Sequence, residues 1–173
     1  FTGLAQDGGT KGLWFRTFAT SNVQAALAAM FARDAGIRKI TILYKNDDWG
    51  QDIARLVEAA MKGAGIEVAG SIAITDGQPS YRAEATEALA TRPEALYLIG
   101  TNSLKSDEFR EAVGLKYLAD FIGTDTASPR VPSASDFVEA YKARFGTPPN
   151  GPGLANSFDA TAIALLAYHA AGK

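Results

Sequence analysis

The side chains that could carry chemistry in this 173-residue chain are few. There is one histidine, His169, and no cysteine. A nucleophilic triad needs an imidazole beside its nucleophile, and His169 falls in the last turn of the final expected helix, behind Phe158, Ala162, Leu165 and Leu166 on one face. A packed side chain near a helix C-terminus, where a cation is favoured, is the reading its place supports. One histidine and no thiol leave no ligand set for a transition metal. The opening glycines do not form a phosphate loop. Gly3 and Gly8 have the separation of GxxxxGK[ST], but Gly9 stands where lysine is required, and the segment precedes a strand instead of following one. No GxGxxG follows any strand.

Asp47 and Asp48 lie at the end of an expected strand and invite a magnesium-holding, phosphoacceptor reading. That design needs another acid at the end of a neighbouring strand, and ALYLI (95–99) runs into Gly100, Thr101 and Asn102. The calcium-loop spacing fails because Gly50 falls where a third ligand should be. Asp48, with Gln51 three residues on, has instead the spacing of a helix capping box. No cofactor and no catalytic residue is expected.

Trp49 is the informative side chain. It opens a helix directly after a strand, where a core residue is less expected. A large aromatic beside Gly50 and free helix N–H groups could cover the apolar part of a ligand while the backbone holds a carboxylate. Packing on a neighbouring loop is the structural alternative.

The elements that must position these residues alternate. Leu13–Thr17 reads as a short strand, then a helix runs from about Asn22 to Ala35. Ser21 and Gln24 have capping-box spacing, and Val23, Leu27, Met30 and Phe31 share one helical face. Lys39–Tyr44 is β-branched and nearly all apolar, as a strand covered on both faces should be. Ile53, Leu56, Val57, Ala60 and Met61 keep the helical period until Gly63 and Gly65. A strand at Glu67–Thr75, a turn at Asp76-Gly77, a helix at Ser80–Thr91 and a buried strand at Ala95–Ile99 follow. Strands alternating with helices of this length imply right-handed βαβ units and an α/β fold: an open parallel sheet with helices on both faces. The last third is expected to hold a helix at Ser103–Val113, a strand at Lys116–Gly123, a loop at Thr126–Pro132, a helix at Ser135–Phe145 and a long helix at Leu154–Ala171. Residues 1–100 thus form an α/β core, and 101–173 a return with C-terminal helices.

The totals narrow the class. With 47% hydrophobic and 21% charged residues the chain can bury a core. A net charge of −2, with Lys and Arg spread along the chain, argues against a nucleic-acid surface. No apolar run approaches the roughly 20 residues that span a bilayer. Phe1 opens without a signal-peptide pattern, as in a mature product or a piece of a longer chain. In open α/β sheets ligands bind beyond the carboxyl ends of the strands. Those ends carry Phe18-Ala19-Thr20-Ser21, Asp48-Trp49-Gly50 and Gly100-Thr101-Asn102.

FRTFATSNVQAALAAMFARDAGIRKITILYKNDDWGQDIARLVEAAMKGAGIEVAG (15–70) resembles the entry into the C-terminal lobe of type I periplasmic binding proteins, the branched-chain amino-acid binding group of ABC transporters. DGQPSYRAE, TNSLKSDEFREAVG, GTDTASP, FVEAYKARFGTPP and ANSFDATAIALLAYHAAG are similar to later family segments, in order. The resemblance implies a flavodoxin-like or Rossmann-like layered lobe of a non-catalytic receptor. Such a receptor closes two lobes around a small amino acid or related amphipathic solute and hands it to a membrane permease. It implies a periplasmic location, or a lipid anchor outside a Gram-positive cell, with neither nucleic-acid binding nor direct membrane insertion. Trp49 takes the place of the family's ligand-covering aromatic in D-x-Y-G, and Asn102 aligns with an acid that often holds the ligand ammonium. Phe18, Ser21, Trp49, Gly50, Thr101 and Asn102 are the expected ligand-binding residues. The chain is expected to lack most of the family's first lobe, and one helix-strand unit between Gly100 and Thr101. A sensory domain of the same fold and a trimmed or engineered lobe without an intact ligand site are the alternatives.

Overall fold

The computed structural model describes residues 14–100, 107, 110, 111, 114, 119, 123, 131–150 and 153–172. The chain divides into two compact units. The described residues from 20 to 123 belong to the first, and 14–19 with 131–172 to the second.

The first unit is built on a parallel sheet. β1 (Lys39–Lys45), β2 (Glu67–Ile74) and β3 (Ala95–Ile99) pair in the order β2-β1-β3. Both ladders are parallel. α1 (Ser21–Asp34) precedes β1, α2 (Asp48–Gly63) joins β1 to β2, and α3 (Arg82–Ala90) carries the chain back past β1 to β3. Ile40, Thr41, Ile42 and Leu43 of the central strand are all buried, so β1 is covered on both faces as its composition predicts. Ile40 and Ile42 face Ile53, Ala54, Val57 and Met61 of α2 within the main core. Each of the isoleucine, valine and methionine side chains contributes roughly 1.5–3 kcal/mol on leaving water. Leu43 turns the other way, onto Ile72 and Ala88 of α3. That is the open parallel sheet with helices on both faces that the βαβ pattern implies.

Three features of this unit correct the sequence expectations. α1 does not bury Val23, Leu27, Met30 and Phe31, which are exposed; it buries Ala25, Ala28, Ala29 and Ala32. It packs on α2, and small side chains allow two helix backbones to approach closely. Its N-cap is Thr20, which makes no side-chain cap bond, so the Ser21/Gln24 capping box is not formed. In β3, Leu96 and Leu98 are 41% and 45% exposed, against the expectation of a buried strand. α3 lies mainly on β2 and β1, and among the described residues β3 is at the sheet edge.

A polar contact sits inside this sheet. Thr41 is fully buried, and its hydroxyl lies 2.6 Å from that of Thr91. Thr91 in turn donates to the Ala88 carbonyl at 2.7 Å, which makes Thr41 the donor to Thr91. β2 makes room for the pair. The register slips between Ile40↔Val68 and Thr41↔Gly70, so Gly70 takes the position opposite Thr41. A Cβ there would stand 3.1 Å from Thr91 Cγ2 and 3.3 Å from Thr41 Cγ2.

The second unit is less buried. Trp14–Thr17 form no strand, contrary to expectation, because no ladder partner lies beside them among the described residues. α4 (Ser133–Phe145) closes at Gly146, whose left-handed φ of 78° lets its N–H reach the Lys142 carbonyl at 2.8 Å. α5 runs Leu154–Ala170. Phe137 packs on Phe158 at 5.3 Å and on Tyr141 at 5.9 Å, and Tyr141 on Phe145 at 4.6 Å, joining the two helices through aromatic edges. No side chain of either helix is buried. His169 does sit in the last turn of α5, but it is exposed, as are Phe158, Leu165 and Leu166; the packed histidine is not found. Of the remaining expectations, Asp107, Arg110 and Glu111 are helical, while most of Ser103–Val113, Lys116–Gly123 and Thr126–Pro132 lies outside the described residues.

Replacing Thr91 by valine leaves the Thr41 hydroxyl buried without a partner, a change that costs about 1–3 kcal/mol. Urea unfolding should show that loss for Thr91→Val, and a much smaller one for the Thr41→Val/Thr91→Val pair.

Candidate ligand site

The carboxyl ends of β1, β2 and β3 lie along one edge of the sheet, because all three strands are parallel. The chain leaves β1 for β2 at one side, then returns past β1 to β3 at the other. In open α/β sheets ligands bind at the edge where connections diverge in this way. The residues delivered there are Asn46–Gly50, Thr75–Gly77 and Gly100.

α2 begins within two residues of the end of β1, and its start is fixed by two features. Asp47, not Asp48, is the N-cap: its carboxylate accepts the Gly50 amide at 2.7 Å. The Trp49 amide also turns on that carboxylate. Gln51 N–H bonds to the Asp47 carbonyl at 2.9 Å. The capping expectation was thus one residue out, because Asp48 already has its place inside the helix. The second feature is Gly50, which is buried against β1. A Cβ on it would lie 2.0 Å from the Lys45 carbonyl oxygen, a separation no side chain can occupy.

A polar network surrounds this corner. Lys45 Nζ lies 2.8 Å from Asp76 Oδ2 and 3.3 Å from Asp47 Oδ2. Asn46 Nδ2 donates to Thr75 Oγ1 at 3.3 Å, Gln51 Nε2 donates to Asn46 Oδ1 at 3.1 Å, and the Asn46 amide bonds to the Ile74 carbonyl. The Asp76 and Asp47 carboxylates raise the Lys45 ammonium above its ordinary value. The Gly50 amide, opposed by desolvation and aided by Lys45, holds the Asp47 carboxyl below its ordinary value.

The arrangement decides what this corner can bind. The amide at the N-terminus of α2 that could hold a ligand carboxylate already holds Asp47, so the expected free N–H donor at Gly50 is not found. Two carboxylates, Asp47 and Asp76, flank one ammonium, Lys45, and Asp48 adds an acid in the first turn of α2, so the corner is unfavourable for an anion. What remains is Trp49, half-buried against the main core in the first turn of α2. Among the other expected residues, Ser21 is the first residue of α1 and partly exposed, and Phe18 in the second unit is 40% exposed. Thr101 and Asn102 lie outside the described residues. Among the described residues no group of acids and histidine could hold a metal ion, and no helix is long and apolar enough to cross a membrane.

A family profile described as periplasmic binding protein matches residues 2–106, more than half of the chain. The chain belongs to the periplasmic binding protein family. Solved structures of solute-binding proteins share this periplasmic-binding-protein fold. A protein from R. palustris, solved in complex with benzoate, is 16% identical at a TM-score of 0.57, covering 78% of this chain and 44% of that one. An ABC transporter substrate-binding protein from Desulfitobacterium hafniense, solved with Leu, is 20% identical at 0.52, covering 79% and 46%. A leucine-binding protein from Thermotoga maritima is 19% identical at 0.56, covering 77% and 45%. This chain therefore spans less than half the length of the solved proteins it resembles. No curated protein matches it. In the D-x-W-G corner of this periplasmic binding protein the sequence placed Trp49 at the strand-to-helix turn, while the cap fell to Asp47 and the close approach to Gly50.

A carboxyl held below its ordinary value contributes stability that is present above that value, 3.8, and lost as pH falls through the folded-state value. Asp47→Asn keeps an acceptor for the Gly50 amide but cannot titrate. The stability difference between the wild-type chain and Asp47→Asn should be constant above about pH 5. It should shrink as acid unfolding proceeds below 3.8, read by denaturant midpoints at each pH.

Proposed function

We propose that this chain is the solute-gripping part of a non-catalytic receptor serving an ABC-type importer in the periplasm. It takes a small amphipathic solute, an amino acid or a related aromatic or aliphatic acid, and passes it to a membrane permease. The observation that carries the reading is Trp49, a large aromatic held half-buried at the carboxyl edge of a parallel sheet by a capped helix start. Open α/β sheets bind ligands at that edge, and an indole there offers a flat apolar wall. Asp47 fills the helix N-terminus, so the solute's anionic end points away from this corner and its apolar body lies on Trp49. Phe18, Ser21, Thr101 and Asn102 complete the residues we assign to solute contact; Gly50, buried and with its amide on Asp47, serves to place Trp49. The solutes in the related structures, benzoate and leucine, share an apolar body and a carboxylate.

Thermal unfolding in the presence of L-leucine, other amino acids, benzoate, hydroxylated benzoates and short amides tests this reading. A solute at 100 times its dissociation constant adds about 2.7 kcal/mol, a rise of roughly 5–10 °C for a domain of this size. One chemical group should raise the midpoint by that amount, and Trp49→Ala should abolish most of the rise, measured from the variant's own lower solute-free midpoint. A flat panel contradicts the proposal.

A further inference from the structure

Residues 14–19 pair with no strand, yet their backbone is held. Thr17 Oγ1 donates to the Asn156 carbonyl at 2.8 Å, and Asn156 Nδ2 donates to the Thr17 carbonyl at 2.5 Å. The two bonds run in opposite directions between residues 139 apart in sequence, and both are half-buried. On one side of the pair, the Arg16 guanidinium lies 4.8 Å over the Trp14 ring. On the other, the Phe18 ring stands against Gly153, the residue before α5, where an added Cβ would be 3.5 Å from Phe18 Cε2.

The peptide group is planar, so a fixed Thr17 carbonyl also fixes the plane that carries the Phe18 amide and Cα. We propose that Asn156 is a positioning residue for Phe18. Its side-chain amide grips the Thr17 carbonyl, its own carbonyl takes the Thr17 hydroxyl, and together they set the direction in which the Phe18 ring leaves the backbone. Gly153 provides the flat surface against which that ring rests. The functional half of this inference rests on the assignment of Phe18 to solute contact. The anchoring half stands on the geometry alone. Neither Thr17 nor Asn156 touches the solute in this scheme; Asn156 acts through Thr17.

Limited proteolysis reads the anchor at the residue concerned. Trypsin cuts after Arg16, immediately before the gripped Thr17, and chymotrypsin after Phe18; local opening governs both rates. Cleavage after Lys142 and Arg144, exposed in α4 of the same unit, is the internal control. In Asn156→Ala, and in Asn156→Asp, whose carboxylate cannot donate to the Thr17 carbonyl, cleavage after Arg16 and Phe18 should accelerate about fivefold or more. That factor corresponds to losing about one net hydrogen bond. Thr17→Ser keeps the hydroxyl and should cleave at the wild-type rate. Rates after Lys142 and Arg144 should not change. Unaltered cleavage after Arg16 and Phe18 in Asn156→Ala would overturn the inference. So would an equal acceleration after Lys142 and Arg144, which would make the pair a general stability contact. No solute is added, so the result does not depend on whether the receptor reading holds.

Discussion

The first turn of α2 approaches the end of β1 so closely that only a glycine fits between them, and much of the first unit depends on that approach. Gly50 lets the helix axis start within contact of the Lys45 carbonyl. Asp47 then satisfies the amides that such a buried helix start would leave without partners. With the start fixed, the helix period carries Ile53, Val57 and Met61 onto Ile40 and Ile42 of the central strand. α1 reaches the core through α2, laying its alanines against it. The same fixed start places Trp49 at the carboxyl edge, so the packing of the core and the placement of the candidate site have one cause.

The electrostatics of the corner follow from that cap. A helix N-terminus carries partial positive charge and ordinarily favours an anion. Here the anion is part of the chain. Asp47 is shared between the α2 amides and Lys45, and Lys45 reaches on to Asp76, tying the β1 end to the β2 end. These groups are exposed, so the network guides local geometry more than it adds to global stability. The corner thus combines a partly buried indole with carboxylates paired to Lys45.

Much of this was legible in the sequence, for identifiable reasons. β1 and β3 begin where expected, and α2 and β2 end within a residue of expectation, because apolar runs bounded by Gly and Asp leave little choice. Residue types alone also placed Trp49 at a strand-to-helix corner. The errors share a physical origin in what a strand or helix packs against. Alanine reads as neutral in a hydrophobic pattern, yet a helix laid on another helix buries alanines and leaves its larger residues outside, as α1 does with Val23, Leu27, Met30 and Phe31. ALYLI reads as a strand covered on both faces, but α3 covers β2 and β1 and leaves Leu96 and Leu98 open. Asp47 and Asp48 have equal capping chemistry, and only backbone geometry separates them. The Thr17–Asn156 and Thr41–Thr91 pairs gave no local signal, since hydroxyl and amide partners so far apart in sequence meet only in the fold.

The central claim is that a solute lies on the carboxyl edge of this sheet, against Trp49. Backbone amide chemical shifts recorded while the chain is titrated with benzoate, and separately with L-leucine, test it most directly. The account predicts saturable shifts for at least one of them, concentrated at residues 45–50, 74–77 and 99–100 and including the Trp49 indole N–H. Shifts confined to the opposite edge, at residues 36–39, 64–67 and 92–95, or no saturable shift with either solute, would contradict it.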